Sequence, residues 1–209
     1  LALKINNNKL YFLNDLGFVY YAALGSEEWN PVAFPGVEIQ SIAFNGDRLY
    51  IGERGFNLNG SSNRIFYTEN EGADWIEVIT GMPSYFNVMA LLAFDNNVFA
   101  AAERISQTDI YRSENNGLSW SVVNNGINYK QIMNFATIGN TVYAGTYSGE
   151  VYSSSNEGLS WEFSSVGIPD LPVWSLASKN DYLFAGVGEN GIYISDDRGQ
   201  NWFESSLNS

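Results

Sequence analysis

Two short segments set a carboxylate beside a guanidinium: Gly52-Glu53-Arg54 and Ala102-Glu103-Arg104. A glycosidase needs two carboxyls held roughly 5–9.5 Å apart, one to protonate the leaving oxygen and one to attack or to activate water. Glu53 or Glu103 with a further carboxylate such as Asp170 or Glu189 would supply that pair. Glu103 falls one strand position later than Glu53, so the two need not point alike. The same residues also read as local Glu–Arg ion pairs that hold long loops, and the sequence favours this reading. A second group is aromatic. Trp174, Phe56, Tyr85, Phe86, Tyr129 and Tyr147 lie in or beside segments rich in Gly, Asn, Ser and Pro. Rings beside Asn and carboxylates suit a glycan, and they suit a protein interface as well.

Other chemistries are closed by composition. The 209 residues include no Cys and no His. That removes thiol nucleophiles, imidazole bases, zinc sites built on either residue, and the Ser-His-Asp arrangement. No cofactor is implied. The paired acids Asp196-Asp197 could touch calcium, but two carboxylates without further oxygen ligands do not make a site, so no metal is expected. A net charge of −13 with ten scattered basic residues argues against nucleic acid, which demands clustered Lys and Arg. No basic run suits an anionic membrane surface, and no apolar run is long enough to span a bilayer.

These candidates need elements to position them, and the elements come from a repeat. Four segments share the pattern Ser/Thr-x-Asn/Asp-x-Gly-x-x-Trp: Thr68 to Trp75, Ser113 to Trp120, Ser154 to Trp161 and Ser195 to Trp202. The Trp spacings are 45, 41 and 41. A decayed fifth copy precedes them, with Trp29 lying 46 residues before Trp75 and Ala22, Leu24 and Ser26 at the Ser, Asn and Gly positions. Ahead of each copy come three β-rich runs, the first two joined by a tight Asn/Gly/Asp turn, as in Val142-Tyr-Ala-Gly145 and Glu150 to Tyr152. Sustained helical periodicity is absent. Four antiparallel strands every 41 to 46 residues match one propeller blade. The sequence therefore predicts an all-β, five-bladed propeller in one domain, with blades at about 1–34, 35–80, 81–124, 125–165 and 166–209. The chain starts in a first strand and ends in a fourth, so each blade is expected to be continuous in sequence.

The repeated residues have physical roles. The third and fourth strands must reverse in a compact turn, which needs one residue at φ > 0, supplied by Gly72, Gly117, Gly158 and Gly199. The hydroxyls of Thr68, Ser113, Ser154 and Ser195 and the side chains of Asn70, Asn115, Asn156 and Asp197 can bond the backbone that the reversal strips of ladder partners. Trp75, Trp120, Trp161 and Trp202 can tuck their rings between sheets.

These four segments resemble the Asp-box, or bacterial neuraminidase repeat, of sialidase-like, sortilin-like and photosystem II assembly-factor-like propellers. The resemblance covers nearly the whole chain. It implies that the boxes sit on the face opposite the usual ligand site, which makes their residues structural. A sialidase would further need three arginines gripping a carboxylate. Of the six Arg here, Arg64 leads into a box, Arg112 and Arg198 lie within or beside boxes, and Arg48 belongs to a tight turn. The remaining Arg54 and Arg104 cannot complete a clamp.

Function is therefore sought where the repeat explains least. Five of six Trp belong to the repeat and Trp174 does not, Gln40 and Met133 standing at its equivalent positions. With Glu53, Arg54, Phe56, Tyr85, Phe86, Glu103, Arg104, Tyr129 and Tyr147 it forms the candidate ligand-side set. The reading is a non-catalytic recognition or scaffold propeller, binding a protein segment or glycan at its loop-rich face. The alternatives are a glycosidase-like enzyme and an assembly factor. The acidic, Asn- and aromatic-rich composition points to an exported or cell-surface bacterial protein, of which this chain reads as one module.

Overall fold

A computed structural model describes residues 2–34, 36, 38–53, 64–84, 86–104, 107–127 and 130–205. Its regular elements are twenty strands in five four-stranded antiparallel sheets, the blades of a five-bladed β-propeller. Among the described residues there is no helix, so none is long and apolar enough to cross a membrane.

Blade 1 comprises β1 (Ala2–Asn6), β2 (Lys9–Leu13), β3 (Val19–Ala23) and β4 (Asn30–Pro31). Blade 2 comprises β5 (Ile39–Asn45), β6 (Arg48–Glu53), β7 (Ile65–Thr68) and β8 (Ile76–Glu77). Blade 3 comprises β9 (Asn87–Phe94), β10 (Asn97–Arg104), β11 (Gln107–Ser113) and β12 (Ser121–Val122). Blade 4 comprises β13 (Ile132–Ile138), β14 (Thr141–Thr146), β15 (Val151–Ser154) and β16 (Glu162–Phe163). Blade 5 comprises β17 (Val173–Lys179), β18 (Tyr182–Val187), β19 (Ile192–Ser195) and β20 (Phe203–Glu204). Each sheet runs in sequence order, first strand to fourth, so every blade is continuous in sequence as its pattern predicts.

Cα packing divides the chain into two compact units: residues 1–104 with 111–121, and residues 105–110 with 122–209. In the first unit, Ile42, Leu49, Ile51 and Phe66 of blade 2 are buried with Tyr11, Leu13, Val19 and Val32 of blade 1, and Trp75 packs against them. Tyr50, Tyr67 and Val78 of blade 2 are buried in turn with Val88, Val98 and Trp120 of blade 3. In the second unit, Leu183, Ala185, Val187 and Trp202 of blade 5 are buried with Tyr143 and Val151 of blade 4. Within each unit, consecutive blades thus pack a leading face of the later blade against a trailing face of the earlier one. Alternate residues of one strand serve the two faces, as Leu49 and Ile51 lead while Tyr50 trails.

The repeated turns follow one wiring diagram. In blade 4 the Ser154 hydroxyl donates to Asn156 Oδ1 at 2.9 Å and accepts from Gly158 N–H at 2.8 Å. Asn156 Oδ1 also accepts from Ser160 N–H at 3.0 Å, and its amide donates to the Ser160 hydroxyl at 2.8 Å. Thr68, Asn70, Gly72 and Asp74 repeat this pattern, as do Ser113, Asn115, Gly117 and Ser119. Ser195, Asp197, Gly199 and Asn201 complete the set. The residue before each Trp is therefore a functional member of the turn. The turn also needs two left-handed residues where the sequence reading expects one. Glu71, Asn116, Glu157 and Arg198 have φ of 56 to 60°, and the glycines after them 85 to 93°. The first of these lies in the small left-handed region that an L residue can occupy; the second lies beyond it, which is why glycine stands there.

The Trp of each turn latches onto the preceding blade's last segment. Its indole Nε1–H donates to a backbone carbonyl 38 to 42 residues earlier: Trp75 to Ala33 at 2.8 Å, Trp120 to Val78 at 2.7 Å, Trp161 to Val123 at 2.8 Å and Trp202 to Ser164 at 2.9 Å. Removing 150–250 Å² of ring surface from water contributes roughly 4–6 kcal/mol as an upper bound. The hydrogen bond fixes the ring's seat and satisfies a carbonyl that has left the ladder. A backbone bond runs beside it in three copies: Trp120 N–H to Thr80, Trp161 N–H to Asn125 and Trp202 N–H to Val166. The residue following each of those acceptors is Gly81, Gly126 or Gly167, at φ 91 to 100°. At Gly126 a Cβ would stand 2.2 Å from the Trp161 carbonyl oxygen, so only glycine lets the two backbones approach. This Trp-x5-Gly spacing is a part of the repeat that the sequence reading missed, although it is plainly written at 75/81, 120/126 and 161/167.

Candidate functional site

In four blades the first strand carries a β-bulge near its start. The register skips Gln40 between Ile39 and Ser41, Met133 between Ile132 and Asn134, and Trp174 between Val173 and Ser175; blade 3 skips Met89. A bulge releases one residue from the alternation and re-aims its side chain. The repeat thus makes a special position here in every one of these blades, and in the second unit it holds the sixth Trp.

Trp174 is 52% exposed and Tyr147 is 50% exposed. Their rings meet edge to face, centroids 5.6 Å apart at 80°, an arrangement that aromatic quadrupoles favour. Neither ring is covered by the core, so together they present open apolar surface on strand- and turn-borne positions. The bulge is anchored by Asn134, whose amide donates to the Val173 carbonyl at 2.7 Å.

Tyr147 begins the turn from β14 to β15, and an ion pair stiffens that turn. Glu150 accepts from Lys130 Nζ at 2.5 Å, from the Ser148 hydroxyl at 2.6 Å and from the Thr146 hydroxyl at 3.2 Å. Burial pushes the Glu150 carboxyl up, but the bonds from Lys130, Ser148 and Thr146 outweigh it and hold the group below the usual carboxylate value. Glu150 in turn raises Lys130, against a smaller effect of burial. Both charges are spent on each other, so the turn offers a ligand rings and backbone in place of an unpaired charge. Tyr147 N–H donates to the Gln131 carbonyl at 2.9 Å. Gly149 lies so near the Pro169–Leu171 backbone that a Cβ would sit 2.6 Å from the Pro169 oxygen. Asp170 and Glu189 are exposed.

The first unit holds the carboxylate candidate, and its geometry is not that of a catalytic acid. Glu53 is 1% exposed. Arg64 donates to both of its oxygens, Nε to Oε2 at 3.1 Å and Nη2 to Oε1 at 3.2 Å. The guanidinium also lies 3.8 Å from Glu77 and over the Phe66 ring. Glu53 holds Arg64 above its ordinary value, with burial opposing. The sequence reading pairs Glu53 with its neighbour Arg54; the structure pairs it with Arg64, directly across the entry into β7, because antiparallel strands bring residues eleven apart face to face here. Gly36 closes over this pair, a Cβ there meeting Glu53 Oε1 at 2.5 Å. Glu103 and Arg104 end β10, Glu103 opposite Asn87, and neither is an unpartnered group.

Phe86 is a correction. The sequence reading sets it in the ligand-side loop, but it is 4% exposed and belongs to the core between blades 2 and 3. It immediately precedes β9, so its ring turns inward with the strand's buried positions. Arg54, Phe56, Tyr85 and Tyr129 lie outside the described residues. Asp197 spends its carboxylate on the turn, accepting from Asn201 N–H and amide and from Ser195. The Asn201 N–H and amide hold it below the usual value against a smaller burial effect.

No protein-family profile and no curated protein matches this sequence. Some 795 chains of solved structures are similar, which identifies a widely shared architecture. One of them is YCF48 bound to D1 peptide, with a TM-score of 0.64, 16% identity and 98% of this chain covered. The present chain spans 65% of that chain's length. At this identity the likeness is one of fold.

Proposed function

We propose that this chain is a non-catalytic recognition propeller of the Asp-box kind that binds an extended protein segment, with Tyr147 and Trp174 as anchors. The observation that carries the reading is the edge-to-face pair itself: two half-exposed rings held on a bulge and an ion-paired turn. Rigid aromatic anchors that lose little entropy on binding are what protein interfaces concentrate their energy in. The four wired turns, with Trp at a fixed offset, support the Asp-box kinship. YCF48 is a propeller seen with a bound peptide, which supports peptide binding on this architecture. With a net charge of −13, the chain should favour neutral to basic segments, since acidic ones are repelled before contact. The acidic, Asn- and aromatic-rich composition supports a place outside the cytoplasm or on the cell surface, as one module of a larger protein. The glycosidase reading has no support from Glu53, both of whose oxygens are taken by Arg64.

The test is a displayed library of unstructured peptides selected against the chain, run beside a glycan array. Selected peptides should lose at least about tenfold in affinity, or 1.4 kcal/mol, in Trp174→Ala and in Tyr147→Ala. Glycan binding without peptide binding would replace the protein segment with a sugar. Peptides that bind both variants as they bind the wild type would remove the site.

A further inference from the structure

The segment that joins blades 4 and 5 runs directly into Trp174, and two turns grip it. The turn that carries Tyr147 presses on one side: a Cβ on Gly149 would lie 2.7 Å from Leu171 N and 2.9 Å from Asp170 Cα. The turn after β18 holds the other side. Gly188 N–H donates to the Pro172 carbonyl at 2.8 Å, and a Cβ on Gly188 would meet the Leu171 side chain at 3.1 Å. Leu171 N–H folds back to the Pro169 carbonyl at 2.7 Å, which puts Asp170 at the middle of a three-residue bend. Two residues beyond Pro172, the bulge of β17 presents Trp174. Backbone contacts thus set Asp170 against the Tyr147 turn, and place Glu189 one residue from the bond that fixes the approach to Trp174.

Asp170 and Glu189 are both exposed, and neither has a hydrogen bond or ion pair among the described residues. The second unit contains three basic residues, Lys130, Lys179 and Arg198. Lys130 is spent on Glu150. Lys179 closes β17, whose second residue is Trp174, and Arg198 pairs with Asp181 in the repeated turn after β19. Both therefore lie at the opposite end of blade 5 from the rings. The end of the unit that carries Tyr147 and Trp174 shows unpaired negative charge and, among the described residues, no unpaired positive charge.

We propose that this site selects a cationic side chain, arginine or lysine, in the segment it binds. The inference rests on the peptide-binding reading and adds the residue type that reading leaves open. An exposed indole attracts a cation through its ring quadrupole, more strongly than tyrosine or phenylalanine does. Asp170 and Glu189 offer the same charge ion-pair partners, and neither has to break an internal pair first. The methylene stem of the side chain covers ring surface that water now touches, so apolar and ionic contacts act together. An acidic side chain at this place meets two unpaired carboxylates, which makes the same residues select against it.

Four pools of unstructured peptides test this, alike except for a fixed central residue: arginine, lysine, norleucine or glutamate. Fluorescence anisotropy of labelled pools measures their binding to the whole chain. The arginine and lysine pools should bind about tenfold or more tighter than the norleucine pool, and the glutamate pool should bind weakest. In the double variant Asp170→Asn, Glu189→Gln the preference for the basic pools should fall below about threefold. Glu162→Gln with Asp196→Asn removes as much charge from an outer strand and a repeated turn, and should keep the preference. Circular dichroism establishes that the variants are folded. Equal binding of the norleucine and basic pools, lost in Trp174→Ala, would overturn the cationic inference and leave the peptide reading standing. Binding of no pool would remove the peptide reading and this inference with it. A preference that survives Asp170→Asn, Glu189→Gln, or that falls equally in the control, would also overturn it, because these two carboxylates would not carry the selectivity.

Discussion

The indole N–H of Trp161 donates to the carbonyl of Val123, 38 residues earlier, at 2.8 Å. One residue of the repeat thereby closes its own turn and fastens its blade to the segment before it, so substitutions here test packing and polarity separately. Trp161→Phe keeps most of the ring and strands a buried carbonyl, for a loss of about 1–2 kcal/mol. Trp161→Ala also opens a cavity, for about 3–5 kcal/mol. Urea unfolding at fixed pH measures both, and equal losses would mean that the N–H contributes nothing.

Gly126 and Gly139 both have positive φ, 91° and 55°. An alanine at Gly126 would drive its Cβ to 2.2 Å from the Trp161 oxygen, whereas at Gly139 it meets nothing within 4 Å. Gly139→Ala should cost about 1 kcal/mol, the strain of a left-handed residue. Gly126→Ala should cost at least twice as much. Thermal midpoints of the two variants under one buffer give the comparison.

Removing one member of the Glu53–Arg64 pair leaves the other without its partner. Arg64→Ala abandons a buried carboxylate and should cost about 2–4 kcal/mol, reduced from a fully buried pair because Arg64 is partly solvated. Glu53→Gln keeps the shape and should cost less. The double variant should recover part of the loss, which a double-mutant cycle in guanidinium chloride would read directly.

The Glu150 carboxyl is held below the ordinary value in the folded chain. Its contribution to stability is fully present above the unfolded carboxylate value and is lost as pH falls through the folded value. Lys130 is raised, so its contribution is fully present below the ordinary lysine value and is lost as pH rises through the higher folded one. The melting temperature should therefore fall on both sides of neutrality. Glu150→Gln should flatten the acid limb relative to wild type in a melting series against pH.

Trp174→Ala should leave the thermal midpoint nearly unchanged, within the effect of about 0.5 kcal/mol typical of surface positions. The ring is half exposed and contacts Tyr147 rather than a core. A drop comparable to that of Trp161→Ala would make Trp174 a packing residue and remove its role as an anchor.

The blades were legible because their signals are local. The strand rows recur in five blades, and four of the turns carry Ser or Thr, Asn or Asp, and Gly at fixed offsets, so the copies reinforce one another. Trp174 was legible for the opposite reason: nothing at Gln40 or Met133 calls for a ring. The partner of Glu53 was not legible. Arg54 and Arg64 are equally plausible in sequence, and only the pairing of β6 with β7 chooses between them. Phe86 misled because its loop is rich in turn formers, while its inward direction is set by the strand it enters. The Trp-x5-Gly spacing was present in the letters, but its meaning, a backbone passing against a Trp carbonyl, exists only between consecutive repeats.

Because each latch joins a blade only to its predecessor, the chain should respond to tension as a row of separate fasteners. Stretched between its ends, it should release blades one at a time, each step freeing the 41 to 46 residues between successive repeat tryptophans. At about 3.5 Å per extended residue that is a contour gain of roughly 140–160 Å. A force–extension trace would show it as an evenly spaced saw-tooth, the mechanical signature of a protein assembled by repetition.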